Sequence, residues 1–222
     1  MANNLQQANE PTLASVLQLH KEDVMYSINC HQVGEIVSFN PSTQTAEVQI
    51  KMLRMMNGEL KQYPVLVDCP CIVLSGGNGR LTMPISAGDS CLVLFNDKDI
   101  DNWYSGGQSV APRTERKHSF SDAIALVGIR NKQNEISGYL NNGVELKYGG
   151  STIKLENNKV TVTNATATVE MNGAAVTVTS ANIALVGNVA ITGSFSVNGK
   201  DIGPNHVHSG VSRGYSNTDG VV

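Results

Sequence analysis

A short repeat in the C-terminal part most constrains how this chain folds. From Val144 to Val197, apolar residues occur in pairs separated by one residue, and successive pairs start six to nine residues apart. This alternation is typical of half-buried β-strands. Gly, Asn and Ser fall between the pairs, where turns are needed. The pairs are Val144/Leu146, Ile153/Leu155, Val160/Val162, Ala167/Val169, Val176/Val178, Ile183/Leu185, Val189/Ile191 and Phe195/Val197.

Each repeat unit is too narrow to bury its own apolar face, so the units must stack into a shared core. A single-chain β-helix needs about 18 residues per coil to make three sides, whereas six to nine residues make one side. Three chains wound together would each supply one side per level. We therefore predict a homotrimeric, intertwined three-chain β-helix over 142–200, with aggregation through exposed strand edges as the alternative.

Charge is scarce in the repeat region. Asp, Glu, Lys and Arg make up 16% of the chain, against about a quarter in ordinary soluble domains. Between Val160 and Gly199 the only charged residue is Glu170, and Thr and Ser occupy the outward positions. The net charge of -3 and the 5% of aromatic residues argue against binding to nucleic acid. No apolar run is long enough to span a membrane, and no secretory signal is recognisable, so we expect synthesis in a cytoplasm.

The N-terminal half has a different pattern. An arm at 1–25 contains a predicted helix at 11–25, with Pro11 and Thr12 as start signals. After it, about five short strands follow within roughly 90 residues, which predicts a small antiparallel barrel, most simply an OB fold, at 26–110. The connector at 111–141 is too short for a catalytic domain. The sequence thus predicts an all-β protein without enzymatic activity.

Four cysteines lie in the N-terminal half, at Cys30, Cys69, Cys71 and Cys91. Cys69 and Cys71 continue an alternation that starts at Val65 and ends at Val73, which predicts one face of a single strand. Free cysteine is among the most buried residue types. We therefore interpret the four thiols as core residues, although an even count also permits a disulfide or a metal site.

Two histidines near the C-terminal end are the candidate metal ligands. In an extended strand His206 and His208 share one face. In a single chain this pattern is typical of surface histidines, but around a three-fold axis it gives six imidazoles in two rings. Six nitrogens suit iron or another octahedral first-row ion better than zinc, which prefers four ligands. Such an ion would be structural, because no coordination position is left open for catalysis.

Several segments resemble a known family. The C-terminal segments VNGKDIG at 197–203, HVHSG at 206–210 and NTDGVV at 217–222 resemble the apex of central spike proteins of contractile-tailed bacteriophages, the baseplate assembly protein V type. Residues 64–84 and 118–123 resemble the N-terminal OB domain of Gp138-type membrane-piercing spikes. The resemblance covers most of the chain.

The resemblance implies a trimer with an OB collar, a β-helical shaft and an apex at 201–222, where His206 and His208 of three chains hold one iron ion. It implies a tail baseplate spike that is assembled in the host cytoplasm and pierces the host outer membrane when the tail contracts. Its expected partners are baseplate hub and tail tube proteins at the N-terminal end and, transiently, the outer membrane. Neither nucleic acid nor a small-molecule substrate is expected.

Other functions share parts of this pattern. A trimeric tail fibre or adhesin would have the same repeat, and a type VI secretion spike would obey the same physics. A β-helical lyase or a metalloenzyme would need a general base or a third ligand near His206, and none is recognisable in the sequence. The glycine-rich loop at 75–80 lacks the Lys-Ser/Thr of a phosphate-binding loop and is more typical of a barrel loop.

Overall fold

The computed structural model describes residues 12–203, 206–207, 209–210 and 214. The chain divides after Ser137 into two compact units. Most of the regular structure is β-strand, which confirms the predicted all-β class. Neither helix in the described part of the chain is long and apolar enough to cross a membrane.

The elements of the first unit, in chain order, are helix α1 (Leu13–Ser27), strands β1 (His31–Asn40), β2 (Thr45–Ile50), β3 (Arg54–Met56), β4 (Glu59–Lys61), β5 (Leu66–Pro70), β6 (Leu74–Gly76), β7 (Gly79–Leu81) and β8 (Ser90–Phe95), helix α2 (Asp101–Gly106), a 3₁₀ turn (Phe120–Asp122) and strand β9 (Ala123–Val127). Those of the second unit are β10 (Gly143–Tyr148), β11 (Ser151–Glu156), β12 (Lys159–Asn164), β13 (Ala167–Asn172), β14 (Ala175–Thr179), β15 (Ser196–Val197) and β16 (Lys200–Asp201).

Helix α1 confirms the helix predicted from the start signals. Thr12 is its N-cap, and the Thr12 hydroxyl accepts a hydrogen bond from the Ser15 amide at 3.1 Å. Such a bond satisfies one of the amides that a helix start leaves unpaired. No residue of α1 is buried.

Five strands of the first unit form an antiparallel sheet in the order β5-β2-β1-β8-β9. The two ends of the sheet meet where Cys71 forms a parallel bridge with Ala125, and the Ile72 amide donates to the Ala125 carbonyl at 2.9 Å. This order and closure are consistent with the predicted OB-like barrel.

The barrel extends further along the chain than the sequence predicted. Strand β9 lies inside the expected connector at 111–141, yet it pairs with β8, and its Ala123 and Ala125 are buried. Alanine contributes little to a hydrophobic pattern, so the alternation of this strand is weak. The collar therefore ends near Val127 rather than at 110.

The core of the first unit lies inside the barrel. Its buried apolar residues are Ile36, Ala46, Val48, Ile50, Leu66, Cys69, Cys91, Val93, Phe95, Ala123 and Ala125. Gly34 in β1 is required here, because a Cβ at this position would lie 2.7 Å from Val48 Cγ1. Phe120 packs edge-to-face on Phe95, with ring centroids 5.6 Å apart, in a geometry that aromatic pairs favour.

The predicted single face from Val65 to Val73 is wrong. Asp68 has a φ of +54°, and the β2–β5 register shifts between Ala46 and Val48. A bulge of this kind inserts one residue and reverses which side chains face inward. Leu66 and Cys69 are consequently buried, whereas Val67 is 63% exposed.

The prediction for the cysteines is confirmed in part. Cys69 and Cys91 are buried, Cys71 is partly buried, and Cys30 is exposed, so the core interpretation is wrong for Cys30. All four thiols are free. Burial raises the pKa of Cys69 to about 12 and that of Cys91 to about 11, so both remain protonated and unreactive at neutral pH.

In the second unit, β10 to β14 form a five-stranded antiparallel sheet in sequence order. Each strand pairs with its neighbour in the sequence, and two-residue turns join them. Within the single chain, residues 143–179 thus form a meander, and the three-chain β-helix over 142–200 stays a prediction for an assembled protein.

No strand forms between 180 and 195. The predicted pairs Ile183/Leu185 and Val189/Ile191 lie here and have no hydrogen-bonded strand partner in the single chain. Their strands stay a prediction for an assembled protein. Further on, β15 and β16 form a small hairpin.

Candidate functional site

The meander of the second unit places all its large apolar residues on one face. The strand registers align them in two columns across the five strands. One column contains Val144, Leu155, Val160, Met171 and Val176, and the other contains Leu146, Ile153, Val162, Val169 and Val178. We call these ten residues the apolar face.

The opposite side of the same sheet is polar. It carries the threonines predicted to point outward and two cross-strand ion pairs, Lys154–Glu145 at 3.4 Å and Lys159–Glu170 at 2.8 Å. The hydrogen bond from the Lys159 ammonium lowers the pKa of the Glu170 carboxyl. These charged side chains are thus paired within one chain, and the polar side of the sheet is suited to contact with water.

Nothing in the described part of the chain covers the apolar face. Nine of its ten residues are between 38% and 67% exposed, and the tenth, Val160, is partly buried. No described residue of the second unit is classed as buried. A contiguous exposed apolar surface of this kind marks an interaction site in a soluble protein.

The following segment is exposed in the same way. Between 180 and 195 Val186 is 99% exposed, and Ile183 and Leu185 are also largely exposed. Exposed aliphatic residues therefore continue along the chain beyond the apolar face.

Of the two predicted metal ligands, the structure describes one. The Nδ1 atom of His206 lies 2.8 Å from the Gly203 carbonyl oxygen, which accepts its proton in a hydrogen bond. The basic lone pair is then on Nε2. His208 lies outside the described residues, so the pair of ligands is not brought together here.

The sequence analysis did not predict a cluster of carboxylates that the structure shows in the first unit. Asp99, Asp101 and Asp122 each place an oxygen within 4.8 Å of the others, a spacing that would suit a metal ion. The Arg116 guanidinium lies among them instead: its Nε is 2.7 Å from Asp122, and its Nη2 is 3.1 Å from Asp99 and 2.9 Å from Asp101. The cluster is therefore a structural ion-pair site.

The polar contacts of this cluster join the two ends of the connection between β8 and β9. The Thr114 hydroxyl donates to Asp99 at 2.7 Å, and the Ile100 amide donates to Asp122 at 3.0 Å. Burial raises the pKa of Asp99, but the hydrogen bonds from Thr114 and the charge of Arg116 outweigh it, so the pKa lies below its ordinary value. No pattern in the sequence predicts the cluster, because its members are spread over more than 20 positions and meet only in three dimensions.

Comparison with known protein families gives one match. Residues 33–128 match the family model described as the phage protein Gp138 N-terminal domain. This range begins in β1 and ends just after β9, so it coincides with the barrel. No curated protein matches the chain significantly. The chain therefore carries a Gp138-type N-terminal domain and is a structural protein of a phage virion.

Proposed function

We propose that this protein is the central spike of a phage tail baseplate, which acts as a homotrimer and pierces the host outer membrane when the tail contracts. The observation that carries the proposal is the apolar face, left uncovered on a chain that also has a Gp138-type domain. The Gp138-type domain supports a role in a phage virion. The apolar face supports assembly with further copies of the chain.

Assembly into a trimer would account for two features of the second unit, the exposed apolar face and the segment at 180–195 without strand partners. Burying an aliphatic side chain that would otherwise be exposed contributes about 1.5–3 kcal/mol, so a face of ten such residues strongly favours association. The segment at 180–195 would gain strand partners from neighbouring chains in the intertwined part of the shaft. A single folded chain provides neither cover for the apolar face nor strand partners for this segment.

The outward surface suits a rod that passes through a membrane. Threonines and paired charges cover the side opposite the apolar face, so the assembled shaft would present no large apolar patch to lipid or protein. A shaft whose strands are hydrogen-bonded along its length and packed inside would also be stiff. The role is mechanical, and no catalytic activity is proposed.

At the apex we propose one iron ion per trimer, held by His206 and His208 of each chain. Support comes from the hydrogen bond between His206 Nδ1 and the Gly203 carbonyl, because metal-bound histidines commonly donate their other nitrogen in this way. Imidazole nitrogen is also a suitable donor for iron. The ion would hold three chain ends together where they have little core of their own.

We also propose partners for the N-terminal part of the chain and for the apex. Baseplate hub and tail tube proteins would bind at the N-terminal end, and the apex would contact the outer membrane transiently. Assembly would take place in the host cytoplasm and end in the tail baseplate.

The position of the protein in the virion tests the proposed function. Antibodies against the chain, with gold label, should mark the tail axis at the baseplate, and access to the apex should increase after contraction. Label at the ends of tail fibres would contradict a spike and favour the fibre or adhesin alternative.

The metal site is tested separately by elemental analysis. Freshly purified protein should contain about one iron per three chains. The double variant His206→Ala/His208→Ala should lose the metal and remain a trimer, whereas His20→Ala, a control in helix α1, should keep it. Metal-free wild-type protein, or metal retained by the double variant, would contradict the site.

A further inference from the structure

The hairpin formed by β3 and β4 contains an arginine without an anionic partner. The Arg54 guanidinium makes no hydrogen bond or ion pair with any residue that the structure describes, and its Nε atom is cut off from water without an acceptor. Buried polar groups in folded proteins nearly always have a partner, because leaving one unpaired costs free energy. The single chain therefore leaves this cation partly buried and uncompensated.

We propose that Arg54 binds a carboxylate of a neighbouring baseplate protein, with the exposed apolar residues of the hairpin surrounding the contact. This inference rests on the proposed function. It specifies where one of the proposed partners of the N-terminal part binds and which chemistry that partner presents.

A fixed aromatic ring positions the guanidinium. The Cζ atom of Arg54 lies 5.0 Å from the centroid of the Tyr63 ring, in the geometry of a cation–π contact. The Tyr63 ring packs edge-to-face on Phe120 at 5.4 Å, and the Tyr63 carbonyl accepts a hydrogen bond from Gln49 Nε2 at 2.9 Å. A side chain that is already ordered loses less entropy when it binds.

The charges of the hairpin indicate an anionic ligand. Arg54 and Lys61 are directly opposed on the two strands, and like charges in this position repel each other. Lys61 pairs with Glu59 at 3.2 Å, but the two side chains are 49% and 72% exposed, so water screens this pair. A carboxylate on the guanidinium would relieve the repulsion and form strong, charge-assisted hydrogen bonds.

The surroundings of Arg54 favour a protein over a small anion. Five large apolar residues of the hairpin and the chain just before it are exposed: Met52, Leu53, Met55, Met56 and Leu60. Methionine, arginine and tyrosine are enriched in the cores of protein interfaces. A free phosphate would need the cation alone and would leave these apolar residues uncovered.

The hairpin is also a preformed element that lacks support. Asn57 and Gly58 have φ angles of +53° and +79°, as the tight turn of a hairpin requires. The two strands form a separate sheet of their own, and a hairpin of two strands is only marginally stable in water. Cover from a partner would stabilise it.

Photo-crosslinking in assembled virions identifies the partner. Met56 follows Arg54 by two residues and shares its face of β3. Benzoylphenylalanine substituted at Met56 should crosslink to a peptide of another baseplate protein that contains Asp or Glu, as read by mass spectrometry. Met83, an exposed methionine beyond β7, is the matched control position and should not give this crosslink.

Charge exchange then tests the role of Arg54. Arg54→Gln should weaken binding of the intact protein to the crosslinked protein by about 30-fold or more, the loss expected for an interface hot spot. Arg54→Glu should abolish binding, and changing the partner's acidic residue to Arg should restore it. Arg80→Gln, at an exposed arginine of β7, is the control and should leave the affinity unchanged.

Each other outcome overturns the inference. It fails if Met56 crosslinks only to another copy of this chain, to lipopolysaccharide or to nothing, or if Arg54→Gln binds as tightly as the wild type. If Arg54→Gln does not fold, the acidic residue of the partner is changed to its amide instead, and an unchanged affinity has the same meaning. These results leave the spike in place, whereas absence of the wild-type chain from the baseplate would overturn the proposed function itself.

Discussion

The Arg116 cluster shows how single residues hold together the connection between β8 and β9. Asp122 has no exposed side-chain surface and accepts two hydrogen bonds from the guanidinium, at 2.7 Å and 2.8 Å. Asp101 contacts the same guanidinium, but its side chain is 40% exposed. The two aspartates therefore provide a comparison in which the partner is constant and burial differs.

Asp122→Ala should destabilise the first unit far more than Asp101→Ala. Breaking a buried ion pair costs about 3–5 kcal/mol, whereas a partly exposed pair contributes about 1 kcal/mol or less. The free energy of unfolding from urea titration measures both. Equal losses in the two variants would contradict the structural role given to the buried carboxylate.

Asp99 should make the protein less stable at low pH. Its pKa in the folded protein lies below the ordinary value of 3.8. A lowered pKa contributes stability that is full above the ordinary value and is lost as the pH falls below it, toward the folded pKa.

Thr114→Val removes the hydroxyl that donates to Asp99 at 2.7 Å. The variant should be less stable than the wild type at pH 5–7, and the difference should shrink below pH 3.8, as the carboxyl becomes protonated in both proteins. Urea midpoints measured from pH 2 to pH 7 test this. A difference that does not change with pH would refute the assignment.

At the scale of elements, the turns of the meander are a point of local strain. Ala165 lies in the two-residue turn between β12 and β13 and has a φ of +47°, a conformation that L-residues other than glycine disfavour. In the next turn, Gly173 occupies the corresponding position with a φ of +57°, and Ala174 follows it.

Ala165→Gly should therefore stabilise the second unit, by about 0.5–1 kcal/mol per chain, since glycine adopts positive φ without a steric penalty. The control is Ala174→Gly, which should give no gain because its φ is not positive. Thermal unfolding of both variants makes the comparison. A loss of stability in Ala165→Gly would mean that this turn has another conformation in the assembled protein.

Introducing an aspartate should have opposite effects on assembly at the two faces of the sheet. Val162→Asp would place three carboxylates in the proposed core and should prevent assembly, because unpaired charges are not tolerated there. Thr161→Asp, one residue away on the polar face, should leave the native mass unchanged. Sedimentation of the two variants tests this, and an assembled Val162→Asp protein would contradict the packing of the face.

The elements also show where sequence reasoning succeeds. Helix α1 has a strong local signal, the start residues Pro11 and Thr12, and is confirmed. The spacing of apolar pairs also predicted which residues of β10 to β14 share a face. The bulge at Asp68 and strand β9 were missed, because a bulge leaves no periodic signal and the alanines of β9 give a weak one.

At the scale of the whole molecule, the two units differ in how far they bury apolar side chains. The barrel closes on itself and buries its own core, whereas the second unit fully buries none of the large apolar residues that the structure describes. A sequence with little charge and few aromatics between Val160 and Gly199 is consistent with a side of a shared core.

The central claim is that three copies of this chain share that core. Light scattering coupled to size-exclusion chromatography should give three times the chain mass of 23.7 kDa for the intact protein. A particle with the mass of one chain at micromolar concentration would contradict the account, because the apolar face would then be stable in water without a partner.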